Sequence, residues 1–164
     1  MVNFFAIFNL KECFNIDKAL LDTIYFDFQN KFHPDKASAQ DIKKSININE
    51  GYAILSDDFL RACHLLALKD VDILKDDKSI KVEQNTLLEI LELQEQIAIE
   101  SDIKNINDMV TKITKNINHL ILQSIVMMDN SSYKEAAQIL VKAKYFKKCI
   151  ADLKTKKKNL KNAN

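Results

Sequence analysis

Apolar residues recur along most of this chain at the three- and four-residue spacing of amphipathic helices, and little of it alternates as a half-buried strand would. Asn3 to Phe8 predicts a short helix. Asp17 offers an N-cap side chain for a longer helix carrying Ala19, Leu20, Ile24, Phe28 and Phe32. Pro34 ends it, because proline lacks an N–H and pushes the preceding residue out of the α region. After a polar segment from Asp35 to Gln40, Ile42, Ile46, Ile48, Tyr52, Ala53 and Leu55 predict a third helix antiparallel to the second. Gly51 interrupts it at a cost of about 0.5–1 kcal/mol relative to Ala, which places this residue where the helix meets a close neighbour. Ser56 is the expected cap of a fourth helix, with Phe59, Leu60, Cys63, Leu66 and Ala67 on its buried side.

The periodicity lapses in the mixed-charge stretch 69–80, read as a linker that Val71, Ile73 and Leu74 hold down. Three long helices follow, over about 82–100, 102–128 and 133–158; Ser132 and Glu135 have capping-box spacing at the start of the last. Short connections make these an antiparallel bundle. The expected organisation is a first domain over 1–68, a linker over 69–80, a three-helix bundle over 81–158 and a basic tail over 159–164.

Composition agrees with an all-α fold: one Gly, one Pro and no Trp leave few turn signals in 164 residues. The 24 basic and 23 acidic residues nearly cancel, so no overall field draws the chain to nucleic acid or to an anionic membrane. No segment has the roughly 18 apolar residues of a spanning helix, and the N-terminal stretch lacks the basic start of an export signal. Cys13, Cys63 and Cys149 are odd in number and widely spaced, which fits a reducing, cytoplasmic setting with no disulfide framework and no metal site. His64 and His119 are isolated singles, read as packed or surface residues.

Two features carry candidate chemistry. The first is the corner His33-Pro34-Asp35-Lys36, a rigid turn displaying an imidazole and a carboxylate with no second acid or base beside them; that favours recognition over proton transfer. The second is the helix over 82–100. At 100° per residue Ile90, Leu93 and Ile97 form a core-facing arc, and Leu87, Leu88 and Leu91 form an adjacent one. The combined stripe is wider than a bundle needs, and Glu92 and Glu95 border the surplus as the rim of an apolar binding patch would.

The corner, the stretch Ile48-Asn49-Glu50-Gly51-Tyr52-Ala53-Ile54-Leu55-Ser56-Asp57 beyond it and the opening Phe4–Leu10 together resemble a J domain. Phe59–Leu66 and Leu87–Glu95 further resemble the HscB family of J proteins, in which a J domain precedes a three-helix bundle. The resemblance spans nearly the whole chain, and the absence of a preceding tetracysteine motif makes it one to the bacterial form. It implies a co-chaperone that is not itself an enzyme and needs no cofactor. His33, Pro34 and Asp35 would dock on a heat-shock ATPase chaperone of the HscA/DnaK class and stimulate its hydrolysis, with Lys31 and Lys36 steering the contact. Ile24, Asp27 and Asn30 depart from the more cationic second helix of the family. Leu87, Leu88, Leu91, Glu92 and Glu95, joined by Tyr145 from the last helix, would bind an iron–sulfur scaffold protein of the IscU type. The alternatives are a bundle serving another client or dimerisation, and a nucleic-acid binder acting through the basic run Lys154–Lys161.

Overall fold

The computed structural model describes residues 1–31, 39–75 and 80–162, and every regular element among them is an α-helix. These are α1 (Phe4–Ile7), α2 (Lys18–Lys31), α3 (Ala39–Ser56), α4 (Asp58–Ala67), α5 (Gln84–Ile99), α6 (Ile103–Asp129) and α7 (Tyr133–Asn162). The chain divides into two compact units, Met1–Asp72 and Ile73–Asn164.

In the first unit the Asp17 carboxylate accepts the Leu20 N–H at 3.0 Å, starting α2 where the sequence places it. Tyr52 donates to Asp22, while Tyr25 and Gln29 both donate to Asn49, so α2 and α3 run antiparallel. The rings of Tyr25 and Tyr52 stack between them at 3.9 Å. The core is built from Phe4, Phe5, Phe8, Leu21, Ile48 and Leu55. Two expected stripes are displaced. Leu20, Ile42 and Ile46 face outward, because α2 turns the set Leu21, Ile24, Tyr25 and Phe28 inward and α3 turns Ile48, Gly51, Tyr52 and Leu55.

Gly51 is where α3 meets α1: a Cβ there would lie 2.8 Å from Phe4 Cδ1 and 2.9 Å from Phe8 Cε2. The cap of α4 is Asp57 and not Ser56. Helix α3 continues through Ser56, so the break falls one residue later, where the extended Asp57 accepts the Leu60 N–H at 2.9 Å. Leu60 is only half-buried, and the inner side of α4 instead includes Arg61 and His64.

In the second unit Gln138 donates to the Lys81 carbonyl, Lys142 pairs with Glu89, and Lys156 donates to the carbonyls of Ile97 and Ala98. Both helices advance together in this register, so α5 and α7 are parallel. Lys157 at the end of α7 donates to Asn107 at the start of α6, so α6 runs the other way, and α7 packs against both α5 and α6. Ala136, Ala137 and Ala143 on α7 let α6 approach closely, and Ile106, Ile113, Ile117, Leu120 and Ile121 fill the seam. The expected tail is helical through Asn162, since the Lys156 and Lys157 side chains tie the last turns of α7 to α5 and α6.

Three connections end in the same way. Asn9, Asp70 and Ser131 hold positive φ of 50°, 62° and 60°, where glycine is usual. In each, the next N–H reaches back to the carbonyl five residues earlier: Leu10 to Phe5, Val71 to Leu66, Ser132 to Met127. These are Schellman closures made without glycine.

Candidate docking surfaces

Of the corner expected to contact a chaperone, His33, Pro34, Asp35 and Lys36 lie outside the described residues. Lys31 is the last residue of α2, and it is exposed. In sequence the His-Pro-Asp stretch falls between α2 and α3, which pair antiparallel.

That pair of helices is held by α1 and α4 through two polar side chains, His64 and Arg61. His64 is buried, its ring stacked on Phe5 at 5.7 Å and tilted against Phe4 at 5.0 Å. Its Nε2 accepts the Phe4 N–H at 3.2 Å, satisfying a first-turn donor of α1 that has no partner within the helix. Burial pushes the imidazole below its ordinary pKa, against the opposing pull of Glu12, Asp72 and Glu50. Nε2 can accept only in the neutral form, so the proton sits on Nδ1. Arg61 is 3% exposed, and it donates to the carbonyls of Phe14 (2.8 Å) and Leu55 and to Asp58 (2.6 Å). It also lies over the Phe14 ring, which fastens the α1–α2 connection to the α3–α4 corner.

On α5 the two arcs separate as the periodicity predicts. Ile90 and Ile97 are buried and Leu93 half-buried, whereas Leu87, Leu88 and Leu91 are 48%, 51% and 52% exposed. Glu92 and Glu95 are exposed beside them. Five of the six expected scaffold-binding residues thus share one outward surface of α5. Tyr145 is half-buried on α7, one turn from the Lys142 that pairs with Glu89, and therefore level with the middle of α5.

Cys63 and Cys149 are buried, and burial raises the Cys149 thiol pKa, which keeps it protonated and inert. Among the described residues no group of three or more His, Cys, Asp or Glu side chains is placed to hold a metal ion, and no helix is long and apolar enough to cross a membrane. Lys156 and Lys157, the centre of the basic run, are engaged in the internal contacts of α7.

An antiparallel helical pair whose two helices flank a His-Pro-Asp stretch in the sequence, followed in the same chain by a three-helix unit with a bare leucine ridge, defines a two-domain J-protein co-chaperone. Comparison with known proteins agrees. Residues 82–154 match the family model described as the HSCB C-terminal oligomerisation domain. The co-chaperone protein HscB of Buchnera aphidicola is 30% identical over 174 residues, covering 97% of both chains. The HscB homolog of Acinetobacter baumannii is 29% identical over 93% of this chain and 88% of its own. The structure of the chaperone HscB from Vibrio cholerae superposes with a TM-score of 0.77 at 25% identity, covering 94% of this chain and 96% of that one. Human co-chaperone HscB shares the fold, with a TM-score of 0.84 at 22% identity over 96% of this chain and 83% of its own. The chain belongs to the HscB family of co-chaperones.

Proposed function

We propose that this protein stimulates the ATPase of a heat-shock chaperone of the HscA/DnaK class in the cytoplasm and delivers to it an iron–sulfur scaffold protein of the IscU type. His33, Pro34 and Asp35 engage the chaperone, aided by Lys31 and Lys36. Leu87, Leu88, Leu91, Glu92, Glu95 and Tyr145 hold the scaffold. The observation that carries this reading is the row of three half-exposed leucines on α5, with a carboxylate rim, in a member of the HscB family. Three adjacent large apolar side chains left in water favour a partner that covers them. Holding scaffold and chaperone on one chain raises the effective concentration of each for the other.

Single-turnover ATP hydrolysis by the cognate chaperone tests the reading, using the parent and the His33→Gln variant, each with and without scaffold. Stimulation should require His33 and rise with scaffold. Leu87→Ala with Leu91→Ala should remove the scaffold-dependent increment and spare basal stimulation; equal loss of both would make the ridge part of the folded core.

A second reading is that the bundle pairs with another copy of itself, which the description of the matching family as an oligomerisation domain favours. Sedimentation velocity decides it: a dimer that the same double leucine variant converts to monomer would assign the ridge to self-association.

A further inference from the structure

Helix α5 leans on α7 and not on α6, which leaves a groove of about 530 Å³ between α5 and α6. Its floor is apolar: Leu93, Ile113 and Phe146. Its α6 wall carries Lys112 and Lys115, neighbours at i, i+3, both exposed and without an ion pair among the described residues. On the α5 wall Glu89 is already neutralised by Lys142, and among the described residues Glu92 is the carboxylate there that has no ion pair. The groove therefore offers a greasy floor under a net positive rim.

Its position relative to the leucine ridge follows from helix phase. Leu88, Glu92 and Gln96 succeed one another at four-residue intervals, so they form a single row along α5. Leu88 belongs to the ridge and Gln96 lines the groove, with Glu92 common to both. A partner seated on Leu87, Leu88 and Leu91 reaches the groove by passing over Glu92.

We propose that the groove is a second half of the scaffold contact, and that it takes an acidic segment of the scaffold whose apolar side chains rest on Leu93, Ile113 and Phe146 while its carboxylates meet Lys112 and Lys115. The proposal rests on the scaffold reading given above. The ridge supplies apolar area, and the two lysines on the far wall fix the direction in which the partner lies across α5. The volume holds a few side chains of such a segment, not a folded element.

Isothermal titration of the full chain with purified scaffold protein, at low and at high salt, tests it with three variants. Lys112→Glu with Lys115→Glu should weaken binding about tenfold at low salt, with the deficit shrinking at high salt as the pairing is screened. Asn116→Trp, at an exposed position on the groove wall, should weaken binding at both salts by filling the space. Leu87→Ala with Leu91→Ala is the reference. If it abolishes binding while both groove variants bind like the parent, the groove proposal is overturned and the ridge reading stands. If the lysine variant loses affinity equally at both salts, an acidic occupant is excluded. If none of the three alters binding, the scaffold reading itself fails. Far-UV circular dichroism of each variant confirms unchanged helix content.

Discussion

Replacing Gly51 by alanine sets helix propensity against packing, and the structure decides the sign. In an exposed helix the change would stabilise by about 0.8–1.0 kcal/mol. Here the added methyl would sit 2.8 Å from Phe4 Cδ1 and 2.9 Å from Phe8 Cε2, against the 3.5–4.0 Å of a relaxed carbon contact. Neither ring has room to withdraw. Phe8 is fully buried and meets the edge of Phe28, while Phe4 is fixed by its N–H bond to His64. Overpacking a core costs about 1–3 kcal/mol, and with two rings displaced the upper half of that range applies. Subtracting the propensity gain leaves a net loss of about 1–2 kcal/mol. Native-state hydrogen exchange reads this locally: amides of α3 should lose roughly tenfold in protection, 1.4 kcal/mol being a factor of ten. Amides of α6 and α7, in the other unit, should be unchanged and serve as the control. Slower exchange in α3 than in the parent would mean that the methyl is accommodated, and the close-packing argument for this glycine would be wrong.

Ser131→Gly should act in the opposite direction, stabilising the bundle by about 0.5–1 kcal/mol in urea denaturation, because a φ of 60° strains a serine, which lacks the local compensation open to Asn and Asp. Arg61→Leu should cost about 2–4 kcal/mol, since it strips the Phe14 and Leu55 carbonyls of their donor; a loss below about 1 kcal/mol would show that water replaces the guanidinium there. The stability of the first unit should fall with acidification. Because the folded-state pKa of His64 is depressed, its contribution is complete above the ordinary value of 6.5 and is lost as pH drops toward the folded value. His64→Gln, which can still accept from Phe4 but does not titrate near neutrality, should flatten that slope; an unchanged slope would assign it to other groups. Lys156→Met should leave the Ile97 and Ala98 carbonyls to water and fray the end of α5 by about 0.5–1.5 kcal/mol, seen as faster exchange confined to its last turn.

Legibility in the sequence tracked how far one rule dominated. In the bundle each helix buries a stripe several turns long, so spacing alone separated Ile90 and Ile97 from the exposed Leu87, Leu88 and Leu91. In the first unit apolar residues outnumber core positions. Leu20 and Leu21 are neighbours in sequence, yet only the second is inside, and what chooses between them is the fit of α2 onto α3 and the phenylalanines of α1. Ser56 and Asp57 are both competent caps; α3 extends one residue farther than its apolar pattern and hands the role to Asp57. Arg61 and His64 were hidden for a different reason. Their burial depends on acceptors and donors as far away in sequence as Phe4 and Phe14, and no local pattern records those.

Glycine shows the same division most sharply. Among the described residues three helix ends adopt a left-handed residue, and the chain fills them with Asn9, Asp70 and Ser131. Asn and Asp tolerate that region because their short side chains can bond locally, whereas Ser has less compensation. A glycine-based search for turns therefore finds none of the three. The single glycine is spent instead inside α3, where propensity argues against it and two aromatic rings require it. A residue that contradicts its local preference points to a tertiary contact, and from that contradiction alone Gly51 could be placed at a helix–helix approach. The rings that make the approach, Phe4 and Phe8, belong to an element of only four helical residues, too short to hold its shape without the packing it provides. Removing the space at Gly51 should therefore loosen α1 and α3 together, which the exchange experiment can resolve amide by amide.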